Sequence, residues 1–313
     1  MNNNKHYNTL TEFYQNKYNR KVAKIALNAN FTCPNKDGKK GFGGCSYCSV
    51  LGSGDTAGDV KLSLKEQFYQ IKERIDNKWP NALYIPYLQA NSNTYGTLEK
   101  LKETYNQILE IKDEKIIGLA IATRPDCFSE EIYNYLEELN KIIPLSIELG
   151  FQTSNEETGK IINRCSTNLE FITAVENLRK RNIEVVVHII NGLPYETEVD
   201  MLNTIDFINK LDIQGIKFHS LLLLKNTKLY DEYQKQPFKI LTLEEYVNIC
   251  VKQIARLKPS IIIHRLAADG IVEDIMIPKW PIKKLVVMNE IDKQLRKENI
   301  YQGDDFLKSN HHH

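Results

Sequence analysis

The strongest constraint on the fold is a regular alternation of short apolar runs with longer amphipathic segments. The apolar runs have the length of buried strands, and the segments between them carry apolar residues three and four positions apart, as helices do. The predicted strands are 21–29, 82–90, 116–123, 144–150, 184–192, 215–224 and 259–267. The predicted helices are 62–77, 97–111, 129–142, 168–182, 199–211 and 241–257. The pattern amounts to about seven β–α units in succession.

These strands read as continuous apolar runs, which is typical of strands that are buried on both faces of a parallel sheet. An α/β fold follows, and a partial or complete (β/α) barrel of parallel strands is the favoured architecture. A doubly wound open sheet remains an alternative. No Pro/Gly/Ser-rich linker divides the chain, so we expect one domain over 1–303 that ends in a helical extension at about 279–303. Residues 304–313 are expected to be a tail, and His311–His313 to be part of an expression tag.

Composition places the chain among ordinary globular proteins, with 42% hydrophobic and 26% charged residues. The sequence has no run of eighteen apolar residues, and MNNNKHYNTL at its start has no apolar core of a signal peptide. We therefore expect no membrane association and a cytoplasmic location. In that reducing compartment, the six cysteines are expected to be metal ligands, reactive thiols or core residues rather than disulfides.

Polar residues recur where the predicted strands end. In a (β/α) barrel these carboxyl ends form the catalytic face, so their recurrence on successive strands favours an active site there. A polar residue that merely satisfies its hydrogen bonds at a strand end is the alternative for each single position. The residues concerned are Gln89, Asn91, Thr123, Arg124, Glu148, Gln152, His188, Asn191, His219, His264 and Arg265.

Three cysteines lie in the sixteen residues CPNKDGKKGFGGCSYC, with the spacing C-x11-C-x2-C from Cys33 to Cys48. The stretch follows the first predicted strand and is rich in glycine, which allows sharp turns, and in lysine, which favours thiolates. Three thiolates suit an iron–sulfur cluster with one iron left open to a small ligand. A structural zinc site completed by a distant histidine, or coincidence, are the alternatives at this point. Cys127, Cys165 and Cys250 are scattered singly, and Cys250 fits a helix core.

The three cysteines, with Tyr47 just before the last of them, resemble the signature of the radical S-adenosylmethionine (SAM) enzymes. The wide first gap departs from the common C-x3-C-x2-C spacing and is similar to that of the YhcC/YtqA-type subgroup, which is related to the catalytic subunit of elongator. Further motifs of that subgroup follow in order along nearly the whole chain. They are LQANSNTY (88–95), ATRPDC (122–127), IELGFQTSNEETGKIINR (147–164), NGLPYET (191–197), KFHSLLLLKNTKL (217–229), IIHRLAADG (262–270) and KWPIKKLVVMNEID (279–292).

The resemblance implies one 4Fe-4S cluster on Cys33, Cys45 and Cys48, with SAM bound to the fourth iron. Reductive cleavage of SAM then yields a 5'-deoxyadenosyl radical that abstracts hydrogen from a substrate. The residues implied to bind SAM are Tyr47, Gln89, Asn91, Ser92, Asn93, Arg124, Glu148, Gln152, Gly192 and Leu193. For Glu148, a buried pair with Arg124 or Arg164 is the structural alternative. The candidates for holding or protonating substrate are His219, Lys225, His264 and Arg265. No second cysteine cluster accompanies the first, which disfavours methylthiolation.

Charge adds a hint about the substrate. Residues 1–48 contain eight Lys and Arg against Glu12 and Asp37, a net charge of +6, whereas the rest sums to −5. A basic surface beside the cluster would suit a polyanion, although a solvated face explains the excess as well.

The resemblance implies tRNA as that polyanion, and conversion of a carboxymethylaminomethyl group on the wobble uridine to aminomethyl. Tyr95, Phe151 or Tyr195 would stack on the uridine, a flavodoxin- or ferredoxin-type protein would donate electrons, and a separate methyltransferase would act next. A metabolite or protein substrate is the first alternative. A non-catalytic, zinc-stabilised barrel that binds nucleic acid is the second.

Overall fold

The computed structural model describes residues 5–49, 51–52, 54, 56–268 and 270–310. The predicted tag residues His311–His313 lie outside this range. Seven parallel strands form one curled sheet, a half-barrel, in the order β1-β2-β3-β4-β5-β6-β8. The strands are β1 (Val22–Leu27), β2 (Leu83–Leu88), β3 (Leu119–Thr123), β4 (Leu145–Gln152), β5 (Glu184–Asn191), β6 (Gly215–Ser220) and β8 (Ile262–Arg265). The predicted α/β fold with a partial parallel barrel is confirmed. The doubly wound alternative is wrong, because the strand order follows the sequence and never reverses.

Helices alternate with the strands, and most of them cover the outer face of the sheet. They are α1 (Leu10–Tyr18), α2 (Leu64–Lys78), α3 (Leu98–Leu109), α4 (Glu130–Ile142), α5 (Glu156–Ile161), α6 (Asn168–Lys180), α7 (Glu198–Ile208), α8 (Lys228–Lys235), α9 (Leu243–Arg256), α10 (Lys284–Glu298) and α11 (Asp304–Asn310). Local sequence fixes where they begin. Four of them start with a capping box, in which the side chain of Ser63, Thr167, Thr197 or Thr242 and an acidic residue three positions later satisfy each other's backbone N–H groups.

Helix α1 was not predicted, and it lies at the open side of the half-barrel. The segment before it pairs with β8 through a parallel bridge between Thr9 and Ile263, and the helix packs against both edge strands, β1 and β8. Tyr14 projects from α1 onto the inner-face side chains Ile85 and Tyr87. The helix therefore links the two edges of the curled sheet.

Two further predictions need correction. The predicted strand 215–224 is interrupted: β6 ends at Ser220, and Leu223–Leu224 form a separate strand, β7, that pairs antiparallel with β9 (Ile275–Ile277). The predicted tail begins as helix α11, whose Leu307 N–H donates to the Gly303 carbonyl, and α11 packs against α9. None of the helices in the described part of the chain is both long and apolar enough to cross a membrane.

A buried pair of amides joins β5 to α9. Asn191 Nδ2 donates to Gln253 Oε1 at 2.7 Å, and Gln253 Nε2 donates back to Asn191 Oδ1 at 2.9 Å. Both side chains are almost fully buried. The pair satisfies polar groups that would otherwise be costly in the core.

We expect Gln253→Leu to lower the free energy of unfolding by about 2–3 kcal/mol, because it leaves the buried amide of Asn191 without its partner. Equilibrium unfolding in urea measures the change. Gln107→Leu makes the same substitution at an exposed position of α3 and is expected to cost less than about 0.5 kcal/mol. Equal losses in the two variants would contradict this role of the amide pair.

Candidate active site

The loop that carries the three cysteines follows β1 and is folded by its own backbone. Hydrogen bonds run from Lys36 N to the Cys33 carbonyl at 2.8 Å, from Gly44 N to the Asn35 carbonyl at 2.7 Å, and from Cys48 N to the Cys45 carbonyl at 3.0 Å. Gly43 and Gly44 have positive φ angles of 77° and 80°, which glycine adopts without strain. The glycines therefore let the chain turn back just before Cys45.

Neighbouring segments hold this loop in place. Ser46 N donates to the Ile162 carbonyl at 2.9 Å, and Asn163 Nδ2 donates to the Gly44 carbonyl at 2.8 Å. The fully buried Asn35 returns a bond from its Nδ2 to the Asn163 carbonyl at 2.5 Å. On the other side, Leu229 N donates to the Ser46 carbonyl at 2.8 Å. Sequence reasoning missed Asn35 and Asn163, whose partners lie far away along the chain.

Cys33, Cys45 and Cys48 are free thiols and line one cavity at the carboxyl ends of the strands. Asn35 Nδ2 lies 3.5 Å from the sulfur of Cys45, and Arg124 Nη1 lies 3.9 Å from it. A hydrogen bond from Cys48, assisted by Arg124, lowers the pKa of Cys45 to about 6 although the thiol is buried. Burial instead raises the pKa of Cys250, which lies outside the cavity, to about 12. The thiolate form is thus favoured at Cys45.

No three His, Cys, Asp or Glu side chains in the described ranges are arranged to hold a single metal ion. A zinc site needs its ligands around one ion at about 2.0–2.3 Å. Three cavity-lining thiols with a lowered pKa at Cys45 fit an iron–sulfur cluster, whose irons bind cysteine thiolates.

Alternation along the strands brings polar side chains into the interior of the half-barrel. Successive residues of a strand point to opposite faces, so the apolar residues of β4, β5 and β6 pack against the helices while the residues between them point inward. Those inward residues are Glu148 and Gly150 on β4, His188 on β5, and Lys217 and His219 on β6, and all of them line the cavity.

Glu148 lies at the centre of this interior and is almost completely buried. It forms ion pairs with Lys24 of β1 and Lys217 of β6, and His188 Nε2 donates to its Oε2 at 2.7 Å. The suggested pair with Arg124 or Arg164 is wrong. Both N–H groups of Arg124 that face Asp126 donate to that carboxylate at 2.8 Å, and Arg164 donates to backbone carbonyls instead, including that of Phe151.

Burial by itself would raise the pKa of Glu148, but Lys217 and Lys24 hold it well below its usual value. Burial lowers the pKa of Lys217 to about 7, and burial together with Lys217 lowers that of His188 to about 4. Burial also holds the pKa of His219 well below its usual value. At neutral pH the interior therefore contains a carboxylate, cations and neutral imidazoles.

Most residues predicted to bind SAM share this cavity. Those that line it together with the cysteines are Tyr47, Gln89, Asn91, Ser92, Arg124, Glu148 and Gln152. Asn93 is fully buried, and its Nδ2 bonds to the carbonyls of Leu88, Ala90 and Ala122, so it joins β2 to β3. Gly192 and Leu193 lie outside the cavity lining, and Leu193 packs in a core cluster against Tyr47. Glu148 already has three protein partners, Lys24, Lys217 and His188, which use most of the acceptor positions of its carboxylate.

The predicted substrate-side residues separate into two groups. His219 and Arg265 line the cavity, whereas His264 is half-buried beside Gly215 and the side chain of Lys225 is exposed. The proposed stacking role of Phe151 is wrong, because its ring lies in the core, 4.1 Å from that of Phe171. Tyr195 is 61% exposed, and Tyr95 lies beneath the Lys39 ammonium at 5.5 Å.

The N-terminal excess of positive charge does not form one surface beside the cysteines. Lys24 is inside the barrel with Glu148, and Lys5 pairs with Asp292. Lys21 precedes β1 and so lies at the end of the sheet opposite the cysteine loop. The cysteine loop itself contains three of the positively charged residues, Lys36, Lys39 and Lys40.

Comparison with known families fits this geometry. The family model of the radical SAM superfamily matches residues 38–208, and the model of the radical SAM C-terminal domain matches residues 213–297. The chain belongs to the radical SAM superfamily. The cofactors of this superfamily, a 4Fe-4S cluster and SAM, are therefore those of this radical SAM protein.

Individual relatives agree with the assignment. YtqA of Bacillus subtilis is 40% identical over 98% of this chain and 95% of its own length, which confirms the predicted YhcC/YtqA-type subgroup. The solved structure of Elp3 from the archaeon Methanocaldococcus infernus, lacking its N-terminus, superposes with a TM-score of 0.71 at 17% identity. The match covers 90% of this chain and 64% of that one, and it shows a shared fold. A tRNA uridine(34) acetyltransferase of M. infernus is 27% identical over 48% of this chain and 28% of its own length.

We expect Cys45→Ala to abolish cluster binding, because it removes the thiol that has the lowered pKa. Iron and sulfide analysis of anaerobically reconstituted protein should find about four irons per wild-type chain and close to none in the variant. Cys250→Ala, which removes a buried thiol outside the cavity, should keep its iron. Full iron content in Cys45→Ala would show that this thiol is not a ligand.

We expect Glu148→Gln to lower the free energy of unfolding by about 3 kcal/mol at pH 6, because Lys217 and Lys24 lose their buried counter-charge. The loss should be smaller at pH 9. The folded-state pKa of Lys217 is about 7, below its unfolded value, so in the wild type this side chain is mostly an uncharged amine at pH 9. Removing the charge of Glu148 then leaves one fewer buried cation without a counter-charge.

Urea unfolding of both proteins at pH 6 and pH 9 measures this difference. Glu138→Gln on the exposed face of α4 provides the matched control, with little effect at either pH. If Glu148→Gln loses more unfolding free energy at pH 9 than at pH 6, a charged pair of Glu148 and Lys217 is contradicted.

Proposed function

We propose that this radical SAM protein modifies tRNA by converting a carboxymethylaminomethyl group at C5 of the wobble uridine into an aminomethyl group. The observation that carries the proposal is a single cavity in which the three-thiol loop and a cationic, polar strand face occur together. The partial similarity to an acetyltransferase that is named for uridine 34 of tRNA, and the fold shared with Elp3, support a tRNA substrate.

In this proposal Cys33, Cys45 and Cys48 hold the cluster, and the residues of the cavity beside them hold SAM. The lining residues that would contact SAM are Tyr47, Gln89, Asn91, Ser92, Arg124 and Gln152. When bound, the cluster and SAM supply a 5'-deoxyadenosyl radical that removes a hydrogen atom from the substrate. A flavodoxin- or ferredoxin-type donor provides the electron, and a separate methyltransferase takes over the aminomethyl product.

The electrons removed from the substrate are all taken up by SAM, so the reaction needs no further oxidant. The methylene group between the amine and the carboxylate loses a hydrogen atom and then one more electron, which leaves a C=N double bond. Water adds to that bond, and the C–N bond breaks to give the aminomethyl uridine and glyoxylate. The two electrons removed from the substrate equal the two required to cleave the C–S bond of SAM, so the electron provided by the donor is returned.

The protein has to hold a uridine that has left the anticodon stack. Tyr195 follows β5 on the catalytic face and is exposed, and Tyr95 follows β2 on the same face. Either ring can stack on a base. Lys36 and Lys39 of the cysteine loop provide positive charge for backbone phosphates near the cavity.

We expect anaerobic, dithionite-reduced protein to release 5'-deoxyadenosine from SAM faster when tRNA carrying the carboxymethylaminomethyl group is added. Mass spectrometry of the digested tRNA should show the aminomethyl nucleoside, with glyoxylate in equal amount. The same tRNA without the carboxymethyl group is the matched control and should give neither product, and Cys45→Ala should release no 5'-deoxyadenosine.

Release of 5'-deoxyadenosine that does not respond to tRNA, with unchanged nucleosides, would contradict the tRNA assignment. It would leave a radical SAM enzyme with a metabolite or protein substrate. A Cys45→Ala variant that is fully active would contradict the cluster assignment instead.

A further inference from the structure

A second pocket lies at the end of the sheet opposite the cysteine loop. It is formed by the end of α1, the segment before β1 and the turn between α2 and β2, and its lining includes Arg20, Lys21, Lys78 and Trp79. Arg20 and Lys21 belong to the N-terminal excess of positive charge, and neither lines the catalytic cavity. The six residues of β2 separate the two pockets by about 20 Å, at about 3.3 Å per residue. This pocket is therefore separate from the cluster and from SAM.

The charged residues of this lining are all cations. No carboxylate is among the described residues that line the pocket, and the sequence neighbours of every lining residue are described too. Two carboxylates of adjoining segments, Asp76 of α2 and Asp113 before β3, both pair with Lys72. The lining therefore carries a net positive charge.

Two of the cations share one aromatic ring. Lys21 Nζ lies 4.9 Å from the ring centre of Trp79, and Lys78 Nζ lies 4.6 Å from it. Within the described ranges, neither ammonium has an ion pair or a hydrogen bond. Burial lowers the pKa of Lys21, and the neighbouring charge of Lys78 lowers it further. A bound anion would offset the repulsion between these like charges.

Helix ends account for part of this charge but do not use it up. The C-terminal ends of α1 and α2 favour nearby cations, because helix carbonyl groups point outward there. The carbonyl groups of the turn after α2, however, accept hydrogen bonds from other donors. These bonds are Ala82 N to the Trp79 carbonyl at 3.0 Å, Lys115 Nζ to the Pro80 carbonyl at 3.0 Å and Arg20 Nε to the Asn81 carbonyl at 2.8 Å. The two ammonium groups over Trp79 are thus available to a ligand.

We propose that this pocket, which we call the α1–α2 pocket, binds a phosphate group. The bond from Arg20 Nε to the Asn81 carbonyl fixes the guanidinium and leaves its two amino groups to donate to two phosphate oxygens. Lys21 and Lys78 add two point charges beside it. Three cations suit the charge of nearly −2 on a phosphate monoester better than the single charge of a carboxylate. The phosphate belongs either to a small ligand or to the backbone of an RNA, and the experiment below separates these sources.

Trp79 reports on the pocket directly. The chain has two tryptophans, and the other one, Trp280, packs against Tyr246 and donates to the Leu241 carbonyl. Trp280→Phe therefore leaves Trp79 as the single indole. Sodium phosphate, compared with sodium chloride at equal ionic strength, should change the emission of this variant saturably when the protein is reconstituted and loaded with SAM. Trp79→Phe, which keeps Trp280 alone, should not respond.

Charge removal tests whether the lysines hold the anion. Lys21→Gln combined with Lys78→Gln, in the Trp280→Phe background, should weaken phosphate binding at least about tenfold, because two charge-assisted contacts are lost. Lys141→Gln combined with Lys160→Gln removes the same charge from exposed positions of α4 and α5 and should leave the affinity unchanged. If the double variant at the pocket fails to fold, the exposed Lys78→Gln alone should give a smaller loss in the same direction.

Unmodified tRNA, added to the Trp280→Phe protein with and without phosphate, identifies the source. An emission change with tRNA that phosphate suppresses assigns the pocket to an RNA backbone. A response to phosphate without a response to tRNA assigns it to a small phosphate-containing ligand.

Absence of a response to both phosphate and tRNA would overturn the proposal. Equal phosphate affinity in the pocket variant and its matched control would also overturn it. The experiment involves no turnover and no residue of the catalytic cavity, so its failure would leave the proposed reaction on wobble uridine standing.

Discussion

The structure depends on one buried carboxylate, that of Glu148 in the middle strand of the half-barrel. Its partners come from the edge strand β1 and from β5 and β6, so a single charge connects strands across the whole curved sheet. Burying these charges is costly, and the cost is offset only because each group finds a partner. The same network keeps the interior polar. Apolar side chains at these inward positions would pack together and fill the interior. The charged side chains instead line a cavity that charged molecules can enter.

Environment gives chemically identical side chains different roles in this protein. Cys45 and Cys250 are both buried, and the pKa of one thiol falls while that of the other rises. The difference comes from neighbours: Cys48, Arg124 and Asn35 surround the first thiol, and the second lies in the apolar core with Tyr246 and Asn191. Lysines differ in the same way, because Lys217 is buried against Glu148 whereas Lys225 is exposed. Residue type alone therefore does not identify the residues of the site.

The sequence predicts the strands, the main helices and the cysteine loop because these depend on local periodicity and spacing. It does not reveal the ion pairs of Lys24 and Lys217 with Glu148, since the partners lie 124 and 69 positions apart. A lysine inside an apolar strand, as in KVAKIALNA and GIKFHS, is the one signal that could have found them. Helix α1 was missed because it is short and none of its residues is fully buried. The pairing of β7 with β9 joins two very short strands that are far apart in the sequence.

The anchoring of the cysteine loop has a consequence for how the metal site can be assembled. The backbone of Ser46 is bonded on one side to Ile162 and on the other to Leu229, and Asn35 and Asn163 exchange further bonds beside it. The position of Cys45 is thus determined by residues more than a hundred positions away. A synthetic peptide of residues 33–48 would contain every sulfur ligand and still lack the shape that presents them. The tertiary contacts of distant segments, and not the loop alone, therefore determine where this sulfur ligand lies.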